Sequence, residues 1–583
     1  MSNQHQQPGF YARYLHSQRL PLLLLAILVF ASIGLQLLNP QVIRYFLDTA
    51  ETGGSERALV IAAILFISFA LVQQLIDLAA NFVNLKVSWS ATNRLRSDLV
   101  LHCLKLDMSF HKSHTPGEMI ERIDGDVNQL GNYFSQFIIR ILGNVLLIAG
   151  ILVMLFIEDA RIGFGLLVYT LFTLFALGLI HKPATRHWEA VRQASAEQYG
   201  YTEERISGAE EIRACGAEEH ALYRLHHFMR DYLEKARSAW VISSLTYSLT
   251  HLIFVIGYAA ALAMGVYLYL KGEVSIGSAY LVTYYITMLS EPLQGLRAQA
   301  QDLQYASASV HRVEELFSWP AKVQEPSDEI AQSLPLSALD LKLENVSFHY
   351  EENQEVLREV SFSLAPGRIL GILGRTGSGK STLTNLLFRL YDPSQGFIRI
   401  GGANISQVRL SELRQRVGLV TQEVQLFEAS VQANLTFFNP DIPPDRIEQA
   451  LKSLNIWDWL QSLPNGLETR LAAGKHGLSA GEAQLLAFAR VFLKEPGLVI
   501  LDEASSRLDP ATEALMERAL DQLFINRTGI IVAHRLKTVL RADDILILDQ
   551  GRIVEFGPRM ALAKNPVSRF AGLLQTGLEE ALA

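Results

Sequence analysis

Long apolar stretches dominate the first half of the chain. A helix needs about 20 mostly apolar residues to cross a bilayer. Six segments reach that length, and several carry no charge over most of it: roughly 20–46, 57–83, 134–157, 162–182, 243–270 and 276–300. The pattern predicts a helical domain at residues 1–318 with six membrane spans.

The connections between these segments alternate in length. They are short near 47–56, 158–161 and 271–275, and long and amphipathic at 84–133 and 183–242. Basic residues precede the first span and open the first long loop: Arg13, Arg19, Lys86, Arg94 and Arg96. This lysine and arginine bias predicts that the N-terminus and both long loops are cytoplasmic. An even number of spans places the C-terminus on the same side.

The second half of the chain has a different pattern. Residues 319–340 are polar, contain proline and lack periodicity, which is typical of a linker. From residue 341 to 583, short apolar runs alternate with helical patterns, which predicts a soluble α/β domain. The expected fold class is therefore an α-helical six-span transmembrane domain followed by an α/β nucleotide-binding domain.

Composition agrees with this division and excludes several classes. A chain of 583 residues is too long for one core, and 49% of its residues are hydrophobic against 19% charged. The net charge of −8 without a basic block argues against a nucleic-acid partner. Cys103 and Cys215 form no Cys-x-x-Cys pair, so neither a disulfide framework nor a zinc site is indicated. The short polar N-terminus shows no removable targeting signal.

A phosphate-binding pattern follows the apolar run 369–373. Residues 374–382 read Gly-Arg-Thr-Gly-Ser-Gly-Lys-Ser-Thr, which matches Gly-x-x-x-x-Gly-Lys-Ser/Thr. Glycines let successive N–H groups face phosphate oxygens, while the lysine and serine reach the β/γ-phosphates and Mg²⁺. The predicted ligands are ATP and Mg²⁺. The candidate nucleotide-binding residues here are Gly374, Thr376, Gly377, Ser378, Gly379, Lys380, Ser381 and Thr382.

Further candidates follow other apolar runs. Asp502 and Glu503 end one run, where the acids suit Mg²⁺ binding and activation of the attacking water. His534 follows another, at what would be the same sheet edge. Tyr350 lies between two predicted strands, where its ring could stack on adenine. An aromatic residue at a strand end is more often simply packed.

Together with Gln422, the segment Leu478–Glu482 and Ser506–Asp509, these residues resemble the ATP-binding-cassette (ABC) family in order and spacing. The membrane half resembles its exporter-type domain through Thr115–Glu118 and Gly277–Tyr280. The resemblance implies two cassettes facing head to tail, with Ser479 and Gly481 contacting the γ-phosphate held by the other chain. It implies short coupling helices near 109–115 and 211–217.

The resemblance also implies a role for each candidate residue. Tyr350 would stack on adenine, and Gln422 would sense Mg²⁺ and take part in catalysis. Ser381 and Asp502 would complete the metal site. Glu503 would be the catalytic base and His534 the switch histidine.

One membrane half and one cassette resemble a half-transporter, which needs a second subunit. The family signature Leu-Ser-Gly-Gly-Gln is altered here at Ala480 and Glu482, and Arg507 replaces an alanine. Glu482 would bring a carboxylate close to a triphosphate, which is an unfavourable contact between like charges. Residues 472–476 also lack an expected glutamate. These departures favour a heterodimer over a homodimer that tolerates them.

The implied function is ATP-driven export of a small or amphipathic substrate across the inner or plasma membrane of a bacterial cell. The alternatives are siderophore-like uptake through an exporter fold, and a membrane ATPase that flips lipid or assists assembly. Ionisable residues in the spans, namely Asp77, Arg140, His251 and Glu291, allow two interpretations. They line a substrate path, with an Asp77–Arg140 pair, or they lie at the edge of the bilayer.

Overall fold

The structure is a computed structural model. It describes Tyr14 and residues 18–136, 141–350, 354–471, 478–502, 510–532 and 536–576. The chain divides into two compact units. The first comprises residues 1–104 and 116–318, and the second comprises residues 105–115 and 319–583.

The first unit is helical. Its α-helices are α1 (Arg19–Glu51), α2 (Glu56–Lys105, whose last residue belongs to the second unit), α4 (Pro116–Ile120), α5 (Val127–Gln136), α6 (Gly143–Glu158), α7 (Ala160–Ile180), α8 (Lys182–Ser207), α9 (Ala209–Ala214), α10 (Glu218–Leu270) and α11 (Ile276–Ser318), with a π-helical turn at Glu121–Asp126. The intervening α3 (Met108–Ser113) belongs to the second unit.

Four of the described helical segments are long and apolar enough to cross a membrane: α1, α2, α7 with α8, and α10. The predicted third span falls partly on α6, which has 16 residues, and partly on residues outside the described part. The predicted sixth span falls on α11, a 43-residue helix whose tyrosine, serine and threonine residues lower its hydropathy. At 1.5 Å per residue, the 50 residues of α2 extend about 75 Å, well beyond the ~30 Å of hydrocarbon.

Apolar packing among α1, α6, α7, α10 and α11 forms the core of this unit. Tyr285 on α11 is fully buried, and its hydroxyl donates to the carbonyl of Leu37 at 2.8 Å. The Arg44 guanidinium forms an ion pair with Glu158, joining α1 to the end of α6. Asp77 accepts a hydrogen bond from the Ser32 hydroxyl. Its predicted partner Arg140 lies outside the described residues, so the pairing stays a prediction.

The second unit contains two sheets. The antiparallel sheet has the order β2-β1-β4-β5, from β1 (Leu341–His349), β2 (Glu355–Leu364), β4 (Gln395–Ile400) and β5 (Ala403–Asn404). The second sheet has the order β10-β9-β3-β8-β7-β6, from β3 (Ile369–Leu373), β6 (Val417–Val420), β7 (Leu498–Asp502), β8 (Thr528–Val532), β9 (Asp544–Asp549) and β10 (Arg552–Pro558). Its strands pair in parallel except β10, which is antiparallel to β9.

Helices cover these sheets. They are α12 (Lys380–Leu387), α13 (Leu410–Arg416), α14 (Val431–Thr436), α15 (Pro444–Ser453), α16 (Trp457–Gln461), α17 (Ala480–Leu493), α18 (Pro510–Leu523), α19 (Leu536–Val539), α20 (Arg559–Lys564) and α21 (Arg569–Thr576), with 3₁₀ turns at Ile405–Gln407 and Gly466–Glu468. The strands β7 and β8 are buried along almost their whole length, as expected for parallel strands covered on both faces.

The segment 319–340 lies with the second unit, in irregular conformation except for one isolated bridge. Asp328 forms an ion pair with Arg409, and the buried Arg389 donates to the carbonyl of Gln324. Through these contacts, the predicted linker packs against the α/β unit.

Candidate nucleotide site

The phosphate loop connects β3 to α12. Gly374, Gly377 and Gly379 all have positive φ, at 156°, 82° and 104°. A Cβ on Gly374 would lie 2.3 Å from the Leu548 carbonyl oxygen, and one on Gly379 would lie 2.7 Å from Leu357. A Cβ on Gly377 would have no heavy atom within 4 Å. Only glycine fits this backbone without strain, and the resulting concave loop leaves room for phosphate oxygens.

Polar groups in the loop fit such a ligand. The buried Ser378 hydroxyl oxygen has no hydrogen-bond partner among the described residues. The Lys380 ammonium donates to the carbonyls of Gly374 at 2.6 Å and Arg375 at 2.9 Å. Burial lowers the pKa of Lys380, an effect that the nearby Asp502 carboxylate opposes. A phosphate would relieve the cost of burying this charge.

Strand register brings the other candidates to the same edge. Val532 aligns with both Asp502 and Ile372, and Val420 aligns with Leu501. The carboxyl ends of β3, β6, β7 and β8 therefore meet at one edge, where the phosphate loop, Gln422 and Asp502 lie. Glu503 directly follows β7, and His534 comes two residues after the end of β8. Both lie outside the described residues, so their roles stay predictions.

The donor set fits a magnesium ion that arrives with nucleotide. Ser381 follows Lys380 at the start of α12 and is exposed, while Asp502 ends β7. No group of three His, Cys, Asp or Glu side chains capable of holding a metal occurs in the part of the chain that the structure describes. Mg²⁺ is usually bound through one or two carboxylates, with phosphate and water oxygens filling most of its shell. Asp502 would supply the carboxylate, and Ser381 and Gln422 would supply the other protein oxygens.

Tyr350 lies beside the phosphate loop. Its hydroxyl lies 3.1 Å from the Thr382 hydroxyl, and its ring packs edge-on against Phe348 and Tyr391. Burial, together with Tyr350 and Asp107, raises the pKa of Tyr391 to about 12, so this neighbour stays neutral. The position suits a base-stacking ring, which remains a prediction.

The short helix α3 contacts this tyrosine. The Lys112 ammonium lies 4.4 Å from the Tyr350 ring centroid. The helix is held by the Asp107 carboxylate, which accepts from the Lys322 backbone N–H at 2.8 Å, and by Phe110 against Trp319. The family resemblance implied short helices near 109–115 and 211–217, and α3 and α9 lie within a few residues of them. It gave no indication that Lys112 would reach the aromatic ring beside the phosphate loop.

The altered signature segment has a defined geometry. Ser479 caps α17, its hydroxyl accepting from the Glu482 backbone N–H. The Glu482 carboxylate accepts from the Ser479 backbone N–H at 2.7 Å and from the Trp459 indole N–H at 2.9 Å. The two reciprocal bonds between Ser479 and Glu482 form a capping box. The Glu482 carboxylate therefore also has a structural role, because one oxygen accepts from the start of α17 and the other from α16. The expectation that its negative charge opposes a triphosphate stays a prediction.

The two signature residues expected to contact the γ-phosphate, Ser479 and Gly481, differ in exposure. The Ser479 side chain is exposed, and its O–H remains available to donate because the backbone contact uses its oxygen as acceptor. Gly481 is buried within the first turn of α17. The neighbouring stretch 472–477 and Arg507 lie outside the described residues.

We expect Glu482→Gln to leave the ATPase rate within about twofold of wild type, because a capping box accepts glutamine as well as glutamate. Glu482→Ala should lower the free energy of unfolding by ~1 kcal/mol, since it removes the cap partner and leaves the Trp459 N–H unpaired. Denaturant unfolding and steady-state phosphate release measure both effects. A several-fold rise in the rate of the glutamine variant would instead show that the charge of Glu482 opposes ATP.

Comparison with known proteins agrees with this geometry. Residues 22–293 match the family described as ABC transporter transmembrane region, and residues 357–506 match ABC transporter. A fatty acid ABC transporter ATP-binding/permease protein of Mycobacterium bovis is 32% identical over 510 residues, covering 86% of this chain and 78% of the relative.

The chain belongs to the ABC transporter family.

Other members extend the comparison. The uncharacterized ABC transporter ATP-binding protein YfiC of Bacillus subtilis is 29% identical over 95% of this chain and 91% of its own. The human mitochondrial iron-sulfur clusters transporter ABCB7 is 29% identical over 84% of this chain and 65% of its own. A bacterial Atm1-family ABC exporter with ATP bound superposes with a TM-score of 0.79 at 25% identity, covering 98% and 99% of the two chains.

These matches confirm several expectations. The chain combines an exporter-type membrane-embedded helical domain with an ATP-binding ABC ATPase domain. The relatives' names include fatty acid, multidrug and iron-sulfur cluster transporters, so membership of the family leaves the cargo open.

Proposed function

We propose that this chain is half of a dimeric ABC exporter that uses ATP hydrolysis to move a small amphipathic molecule out of the cytoplasm. The proposal rests on one observation: the same chain contains both a formed phosphate loop and exporter-type helices. The loop's glycine cradle and buried Lys380 fit a triphosphate, and two of the helices, α2 and α10, are 50 and 53 residues long.

The proposed cycle uses ATP as the contact between two cassettes. In each composite site, the phosphate loop of one chain and Ser479 with Gly481 of the other hold the triphosphate. Lys380 neutralises the phosphates, and Glu503 accepts a proton from the attacking water. Loss of the γ-phosphate removes the bridging contacts, and the cassettes separate. Long rigid helices then carry this separation to the membrane.

We propose that the second subunit has a different sequence. Ala480 in place of a glycine and Arg507 in place of an alanine support a partner whose own signature completes this chain's ATP site. The intact Ser479 cap is what a homodimer would rely on. Vigorous ATP hydrolysis by the purified chain alone would contradict an obligatory second gene product.

Inside-out vesicles carrying this chain, with and without a candidate partner, test the function. We expect ATP-dependent accumulation of an amphiphile such as labelled oleate or tetraphenylphosphonium, and loss of that accumulation in the Lys380→Ala variant. ATP-dependent release from preloaded vesicles would indicate uptake instead. ATP hydrolysis that moves a labelled phospholipid between leaflets, and neither amphiphile, would favour the lipid-flipping alternative.

A further inference from the structure

Tyr350, the base-stacking candidate, has a cation over its ring. The Lys112 ammonium lies 4.4 Å from the ring centroid. Aromatic rings that stack in proteins have their centroids about 4.5–7 Å apart. The ammonium therefore lies in the space that a base stacked on this face of Tyr350 would fill, and the two cannot be there together.

The tyrosine ring itself is held in place. Phe348 and Tyr391 pack against it nearly at right angles, with centroids 4.9 and 5.2 Å away. The Tyr350 hydroxyl lies 3.1 Å from the hydroxyl of Thr382, the last residue of the phosphate-binding pattern. These contacts fix the ring relative to the loop that would hold the triphosphate. When a base reaches the ring, the lysine is therefore the group that moves.

The helix α3 keeps Lys112 near the ring but does not depend on it. Asp107 and Phe110 anchor this end of the chain to the segment 319–340, through a backbone N–H and a ring contact. Lys112 is exposed, and its long side chain is flexible. In the part of the chain that the structure describes, the ammonium contacts two aromatic rings, at 4.4 and 5.7 Å. Moving it therefore gives up cation–π attraction and leaves the anchors of α3 intact.

This contact opposes a base but not a bare phosphate chain. Tyr350 is 37% exposed, and a cation–π contact at an exposed site changes an equilibrium constant about two- to fivefold. A base that stacks on the ring must first remove the ammonium, so ATP binding is weakened by that factor. Inorganic tripolyphosphate has no base, and in the loop it would leave the ring and the lysine in contact.

From these contacts, we propose that Lys112 is an internal competitor for the base site. Its ammonium and adenine compete for the same face of the Tyr350 ring, so the lysine lowers the affinity for ATP. This inference rests on the proposed ATP-driven function. It adds a residue of α3 to those that determine how tightly the nucleotide binds.

The test uses Lys112→Met, which removes the charge and keeps a long side chain. Binding of ATP and of inorganic tripolyphosphate is measured on the purified full-length protein in detergent, with Mg²⁺ omitted to prevent hydrolysis. We expect the variant to bind ATP about two- to fivefold more tightly than wild type, and tripolyphosphate no more tightly. Unchanged or weaker ATP binding would overturn the proposal, because the base would then not displace the lysine. Equal tightening for both ligands would also overturn it.

Further variants locate the effect. Lys112→Arg keeps a cation for the ring and should bind ATP within about twofold of wild type. Lys564→Met is the matched control, since Lys564 is exposed on α20 in the same unit and the loss of charge is equal. It should bind both ligands as wild type does. In a Tyr350→Leu background, Lys112→Met should no longer tighten ATP binding, because the contested ring is gone. The same tightening in that background would contradict the competition.

Tripolyphosphate binding by the wild-type chain separates this inference from the proposed function. A chain that binds neither ATP nor tripolyphosphate, even with a candidate partner, contradicts the ATP-driven function. A chain that binds both, and whose ATP affinity does not respond to Lys112→Met, contradicts only the competition at Tyr350.

Discussion

Replacing Lys380 with alanine is expected to reduce ATP hydrolysis at least a hundredfold and to weaken ATP binding strongly. Lys380 is buried at the first residue of α12, and its ammonium reaches back into the loop that would hold the triphosphate. Removal of one preorganised donor from such a site typically costs 10²–10³ in rate. Phosphate release at saturating ATP and equilibrium binding of a labelled nucleotide would measure the two effects.

A matched control distinguishes local loss from general disruption. Lys452→Ala removes an exposed lysine from α15 in the same unit, where its ammonium pairs with Glu448. This variant should keep wild-type hydrolysis and binding. If Lys380→Ala bound ATP with unchanged affinity, the loop would not be the phosphate site, whatever happened to the rate.

The nucleotide edge is the part of the structure that the sequence predicted best. The apolar runs before Gly374, Gln422 and Asp502 are short and bounded by turn residues, which is typical of buried parallel strands. Parallel strands end at a common edge, so the order of the motifs was enough to bring these residues together. Local glycine chemistry likewise determined the shape of the loop.

The contacts that sequence reasoning missed depend on distant parts of the chain. Lys112 and Tyr350 are far apart in sequence, and a lysine on a short amphipathic helix gives no indication of which ring it will meet. Glu482 was judged by its charge alone, whereas its bond to the Trp459 indole depends on how α16 packs against the start of α17. Membrane depth was also hard to infer, because α11 mixes polar and apolar residues along its length.

The second large effect is expected from Glu503→Gln, which should slow ATP hydrolysis by ~10²–10⁴-fold while ATP binding is kept or tightened. Glutamine preserves the size of the side chain but cannot accept the proton of the attacking water. Glu503 directly follows Asp502, whose register with Val532 places the end of β7 at the nucleotide edge. Single-turnover phosphate release, with retention of labelled ATP after gel filtration, would measure both properties.

The contrast between the two variants is the stronger test. Lys380→Ala should lose binding and hydrolysis together, whereas Glu503→Gln should separate them and hold two cassettes around unhydrolysed ATP. Trapped nucleotide should then elute with a dimer-sized species in the glutamine variant and be absent in the alanine variant. Glu448→Gln, which makes the same change in charge at a partly exposed glutamate of α15, should behave as wild type. Normal turnover in Glu503→Gln would remove Glu503 from the catalytic role, and the base would have to be sought elsewhere along the edge formed by β3, β6, β7 and β8.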